Sequence, residues 1–210
     1  MRGLLLKDFY MALKYCKIFF ILMLVFIGLT TMGTDNLFTM TYAVFLAGAL
    51  PVTLFAYDEQ QGWERYNKAF PYTKAEIVSS KYVFGLLAEL IMVAVTILAS
   101  LIWMVIRGTI DPEALLFTAC FACTYGLIAS ALIFPFVFRF GAQKGRLAFI
   151  GLIVLLCSGI GAINSQKVRT GFSMLYTQGT ELLIVPVLIG LAVYGLSWAL
   201  SIALYRKRES

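Results

Sequence analysis

Apolar residues fall in long blocks along this chain, and short polar stretches separate them. A block of about 20 apolar residues matches the roughly 30 Å hydrocarbon core of a bilayer, because a helix rises 1.5 Å per residue. The pattern predicts six membrane-spanning helices, over about 16–33, 37–57, 77–106, 114–138, 147–163 and 181–205. Residues 2–17 follow a different rhythm. On a helical wheel Lys7, Tyr10, Lys14 and Lys17 share one face, and Leu5, Leu6, Phe9, Ala12, Leu13 and Cys16 share the other. That is an amphipathic helix suited to lying in the membrane interface ahead of the first span.

Composition agrees with the pattern. The chain is 61% hydrophobic and 13% charged, against about 25% charged in an ordinary soluble domain. It reads as one transmembrane domain over residues 1–210, with no room for a separate soluble one. The first apolar run is broken by Lys7, Asp8, Lys14 and Lys17, and no small-residue cleavage site follows it, which argues against a signal peptide.

Charge supplies the orientation. An even number of spans puts both termini on one side. Of the 17 Lys and Arg residues, only Arg107, Lys167 and Arg169 lie on the opposite side from the termini. The rest cluster in the N-terminal segment, the second connection, the fourth connection and the tail. The positive-inside rule therefore makes both termini cytoplasmic. The net charge of +6 follows from this topology, with membrane lipid as the partner and no need for nucleic acid.

The most structured polar stretch is GWERYNKAFPYTKAEIVSSKY, Gly62 to Tyr82, between the second and third spans. Asp58, three residues before Gln61, reads as a helix N-cap. Trp63, Tyr66 and Phe70 then fall on one helical face. Pro71 ends that helix, because the residue before a proline is pushed out of helical dihedrals. Thr73-x-x-Glu76 forms a capping box, with Tyr72 and Ile77 at the staple positions. A short helix over about Glu59–Ala69 should thus meet a long one that starts near Lys74 and runs to about Ile106, roughly 50 Å. On local physics the short helix is equally a docking element or a lipid anchor.

The residues themselves carry a resemblance. Gly62-Trp63-Glu64-Arg65-Tyr66, Ala69-Phe70-Pro71 and Lys74-x-Glu76-Ile77-Val78-x-Ser80-Lys81-Tyr82 resemble the ABC-2-type permeases of bacterial ATP-binding-cassette exporters, in particular small six-span permeases that work with separate ATPase subunits. The motif covers about Glu59–Tyr82, and the order of segments covers the chain. Where the family often has Ser-Arg after the proline, this chain has Tyr72-Thr73-Lys74, which keeps the capping chemistry. The resemblance implies a short cytoplasmic coupling helix between spans two and three, in which Trp63, Glu64, Arg65, Tyr66, Phe70 and Pro71 dock a separate ATPase. ATP would be bound by that partner, and a second permease subunit, identical or related, would complete the pathway in a bacterial plasma membrane. The implied activity is export of a peptide, antibiotic or lipid-like substrate. The alternative is a non-transporting immunity or sensing subunit of the same fold. The resemblance implies short re-entrant helices over the stretch Asn164–Thr180, and its residues fit a plain surface loop nearly as well.

Other residue types bound the chemistry. The chain has no histidine, which removes histidine metal sites and Ser-His or Cys-His catalysis. It has no G-x-x-x-x-G-K-[ST], so it holds no P-loop for ATP. No catalytic, cofactor or metal residue is assigned. Cys120-x-x-Cys123 lies in an apolar block, where packing thiols are the rule. Glu89 is the only acidic residue deep in a span. A charge there costs about 2.5–3.5 kcal/mol on insertion scales, so it should face the protein interior or a cavity. It is read as a pathway or interface residue, or else as a packing carboxyl.

Overall fold

The computed structural model describes residues 2–32, 36–62, 72–108, 112–141, 151, 154 and 184–207. All its described elements are helices: α1 (Arg2–Tyr15), α2 (Lys17–Met32), α3 (Asn36–Gln60), α4 (Lys74–Arg107), α5 (Pro112–Phe140) and α6 (Ile184–Lys207). The predicted span over 147–163 and the stretch Asn164–Thr180 lie outside the described residues, apart from 151 and 154.

Local chemistry sets the helix ends. Thr73 is extended (φ −78°, ψ 152°) and caps α4. Its hydroxyl accepts from the Glu76 N–H at 3.2 Å, and the Glu76 carboxylate accepts from the Thr73 N–H at 2.9 Å. The predicted capping box is therefore present in both halves. Gly62, Gly108 and Gly141 follow α3, α4 and α5 at positive φ, the left-handed turn that glycine adopts without a Cβ penalty.

Four helices, α3 to α6, are long and apolar enough to cross a membrane, and the bent pair α1–α2 is a fifth candidate. α2 has 16 residues, so at about 24 Å it is shorter than the core by itself. α1 and α2 meet at Cys16 with a 74° bend between their axes. The amphipathic helix is thus a separate element, as the pattern predicts. Among the candidate spans, α3 is the least hydrophobic and 72% buried, while α4 is the most hydrophobic and 22% buried. α3 is the central helix of the bundle, and α4 and α6 turn rows of Leu, Ile and Val outward, from Leu87 to Ile106 and from Ile184 to Leu200. Apolar surface on that scale marks contact with a membrane or with another protein.

Two apolar clusters share α3 and α4. One surrounds Tyr82 with Phe55, Phe134, Phe138 and Tyr194. The other joins Ala12, Cys16 and Met23 to Val44, Leu50, Leu54, Phe84 and Met92. Tyr82 stacks on Trp198 (5.6 Å, 8°) and meets Phe134 edge-on at 4.7 Å. Its hydroxyl bonds Ser197 at 2.8 Å and Ser201 at 2.6 Å on α6. The Tyr194 hydroxyl donates to the Tyr82 carbonyl at 2.8 Å. Hydroxyls satisfied across helices in this way hold α6 against α4.

Candidate functional site

The predicted docking residues Trp63, Glu64, Arg65, Tyr66, Phe70 and Pro71 lie outside the described residues. Both flanks of that stretch are described. The first differs from the prediction: α3 runs through Asp58 to Gln60, so Asp58 caps no helix and no new helix begins at Glu59. The reason is electrostatic, because the Asp58 carboxylate is engaged by two lysines from other helices.

Those lysines belong to a buried cluster of four charges. Lys81 on α4 reaches Asp8 Oδ1 on α1 at 2.6 Å and Asp58 Oδ2 on α3 at 2.7 Å. Lys7 on α1 reaches Asp58 Oδ1 at 2.7 Å and lies 3.6 Å from Asp8. The side chains of Lys81 and Asp8 are 3% and 1% exposed. Two lysines face two carboxylates, which offsets the charge that burial would otherwise leave uncompensated. Asp8 Oδ2 has no hydrogen-bond partner among the described residues.

The cluster corrects the reading of α1. Lys7 does not lie on a solvated face. The helix buries Leu4, Asp8 and Ala12, a row spaced by one turn, and exposes Leu6, Phe9, Tyr10 and Leu13. Its neighbours are the end of α3 and the start of α4. Tyr15 stacks on Tyr57 with centroids 5.1 Å apart, and a Cβ on Gly3 would stand 3.2 Å from the Tyr72 hydroxyl. α1 therefore clamps both flanks of the 63–71 stretch. Sequence reading missed this. The available signal was Asp8 inside an apolar block and Lys81 between Val78, Ser80 and Tyr82, since buried charges are normally paired.

Glu89 lies two turns further along α4 and is 2% exposed. Ser130 on α5 donates to its Oε1, and Oε2 has no hydrogen-bond partner among the described residues. Two glycines make room for it. A Cβ on Gly48 of α3 would collide with the Glu89 carboxyl, and one on Gly126 of α5 would stand 2.9 Å from Val44 Cγ1 and 3.5 Å from the Glu89 carboxyl carbon. Glu89 is thus wedged among α3, α4 and α5 inside one chain. Just before it, Gly85 brings α4 onto Pro51 and Phe134, 3.0 and 3.2 Å from where a Cβ would stand.

The family model described as ABC-2 family transporter protein matches residues 3–206. No curated protein and no solved structure matches the chain.

Proposed function

The chain belongs to the ABC-2 transporter family, and from that premise we propose that this multi-pass membrane protein is the permease subunit of an ATP-binding-cassette exporter. The clamp carries the proposal. α1 grips the end of α3 and the start of α4 through Asp58 and Lys81 at once, so the stretch between them hangs from a stiff frame. A docking segment needs such a frame to pass displacement into the bundle, whereas a lipid anchor does not.

In this reading the chain has six spans, with both termini and the 63–71 stretch in the cytoplasm of a bacterium. Two permease subunits form the pathway, and separate ATPase subunits bind and hydrolyse ATP beneath them. Trp63, Tyr66 and Phe70 seat in an apolar groove of the ATPase, Glu64 and Arg65 lie at its rim, and Pro71 sets the corner into α4. The cargo is a peptide, an antibiotic or a lipid-like molecule.

The test is co-purification of the ATPase, with its hydrolysis rate in reconstituted membranes. Buried aromatic anchors commonly cost 2 kcal/mol or more on truncation, about a thirtyfold loss of affinity. Trp63→Ala combined with Phe70→Ala should release the ATPase or uncouple hydrolysis, while Arg65→Ala should do much less. Wild-type binding and coupling in the double variant would make the stretch a lipid anchor.

A further inference from the structure

Glu89 is 2% exposed, and no lysine or arginine among the described residues pairs with it. We propose that it is a proton-binding site whose occupancy is tied to the packing of α3, α4 and α5: the helices close on the protonated carboxyl and part when the proton leaves. This goes beyond the transport reading and does not depend on it.

The groups around the carboxyl supply no positive charge. On its own helix the nearest cation is Lys81, about 12 Å away along the axis, and that ammonium group is bound to Asp8 and Asp58. α3 meets the carboxyl with Gly48. α5 brings the Ser130 hydroxyl and the Cys123 thiol, and α6 brings Tyr194. Cys123 and Tyr194 are acids, so their ionisation would only add negative charge. The Tyr194 hydroxyl already donates to the Tyr82 carbonyl at 2.8 Å. A carboxylate buried here would have one hydrogen bond and no counter-ion, which is costly.

The packing also leaves no space to hydrate a charge. A Cβ on Gly48 would overlap the carboxyl, and one on Gly126 would stand 3.5 Å from its carbon. A bound water needs room for a probe of about 1.4 Å radius and at least two polar partners. The protonated acid fits the same space without one. Its Oε1–H donates to Ser130 Oγ, so that the bond between them runs in reverse, and Oε2 is left as a carbonyl oxygen. A carbonyl oxygen without a partner is tolerated far better than an unpaired charge. Ionisation breaks the O–H bond and passes the proton to an entering water, and that water needs the helices to part by about 3 Å, its own diameter. Proton release and parting are therefore linked. With one proton bound in the closed packing and none in the parted one, their ratio shifts about tenfold per pH unit, acid favouring the closed form.

The experiment titrates the full chain, reconstituted in liposomes, from about pH 4 to about pH 9. Infrared difference spectra follow the C=O stretch of the protonated carboxyl. Nitroxides at Leu90 and Leu132, exposed positions on α4 and α5, follow the helices, with the native cysteines replaced by alanine. The band should vanish as the distance lengthens by about 3 Å, with one midpoint for both. Glu89→Gln keeps the shape and a donor for Ser130, so it should lack the band and hold the short distance at every pH. Ser130→Ala deletes the bonding partner and should shift the band, which assigns it even if the glutamine variant does not fold. A band that is absent or unchanged throughout the titration would overturn the proposal, as would one that neither variant alters or one that titrates at constant distance. So would a pH-dependent distance that survives in folded Glu89→Gln.

Discussion

Lys81→Met removes one charge from the four-membered cluster and keeps a side chain of similar length. In the native protein Lys81 Nζ bonds Asp8 at 2.6 Å and Asp58 at 2.7 Å. In the variant the cluster carries one excess negative charge. Asp8, with its side chain 1% exposed, keeps only Lys7 at 3.6 Å. Removing one partner of a buried ion pair costs about 3–5 kcal/mol, equivalent to two to nearly four orders of magnitude in the unfolding equilibrium. Lys7→Met should cost far less, about 1 kcal/mol, because Lys7 is 21% exposed and Lys81 still binds both carboxylates. Asp8→Asn added to Lys81→Met leaves a balanced Lys7–Asp58 pair and should recover more than half of the loss. The assay is reversible unfolding in mixed micelles titrated with sodium dodecyl sulfate, read by circular dichroism. A Lys81→Met variant within about threefold of wild type would refute the reasoning. So would a double variant whose loss is the sum of the two single losses, since groups in one network should couple by about 0.5–3 kcal/mol.

Gly48→Ala should destabilise the protein by about 1–3 kcal/mol through overpacking, because its Cβ meets the Glu89 carboxyl; Glu89→Ala in the same chain should restore most of that loss, and no rescue would place the strain elsewhere. Tyr82→Phe deletes a hydroxyl bonded to Ser197 and Ser201 and should cost about 0.6–1.7 kcal/mol in the same unfolding assay; a loss above 3 kcal/mol would mean the hydroxyl supports more than these two contacts. Cysteines placed at Gln60 or Lys144 should react with a membrane-impermeant thiol reagent only after permeabilisation, and one within Asn164–Thr180 should react in intact cells; the reverse pattern would invert the topology. Spin labels at Ser79 and Trp103, paired across two permease subunits, should report distance changes of opposite sign when nucleotide binds the ATPase, and changes of one sign would mean that α4 translates.

What the sequence disclosed was local or periodic. The capping box needed only residues three apart, and both of its bonds are present at Thr73 and Glu76. Blocks of hydrophobicity placed α3 to α6 to within a few residues, since a helix must satisfy its own backbone in a membrane. The bend at Cys16 followed from the change of rhythm after residue 17. The clamp was not legible, because its bonds join residues 51, 73 and 23 apart and no periodicity relates them. The wheel of α1 also misled. Its apolar face reads the same whether it meets lipid or protein, and the row that is buried contains Asp8, which hydropathy assigns to water. Asp58 went wrong for the same reason, since a capping role was the only local one open to it. Glu89 was visible as an anomaly, but the glycines at 48 and 126 that accommodate it lie on other helices.

α4 has 34 residues and no proline, so nothing in its sequence calls for a sharp kink. It is pinned where Gly85 meets Pro51 and where Glu89 is wedged against Gly48, Gly126 and Ser130. With Glu89 as fulcrum, the arm to Lys74 is about 22 Å and the arm to Arg107 about 27 Å. The ratio is slightly greater than one. For a rigid α4 turning about Glu89, an inward pull of about 3 Å at the Lys74 end would become an outward swing of between about 3 and 4 Å at the Arg107 end, and the Asp8 and Asp58 partners of Lys81 would have to travel with the Lys74 arm. A helix turning in this way would act as a balance beam whose pivot is a carboxyl group, and the two faces of the membrane would move in antiphase as long as the beam does not bend.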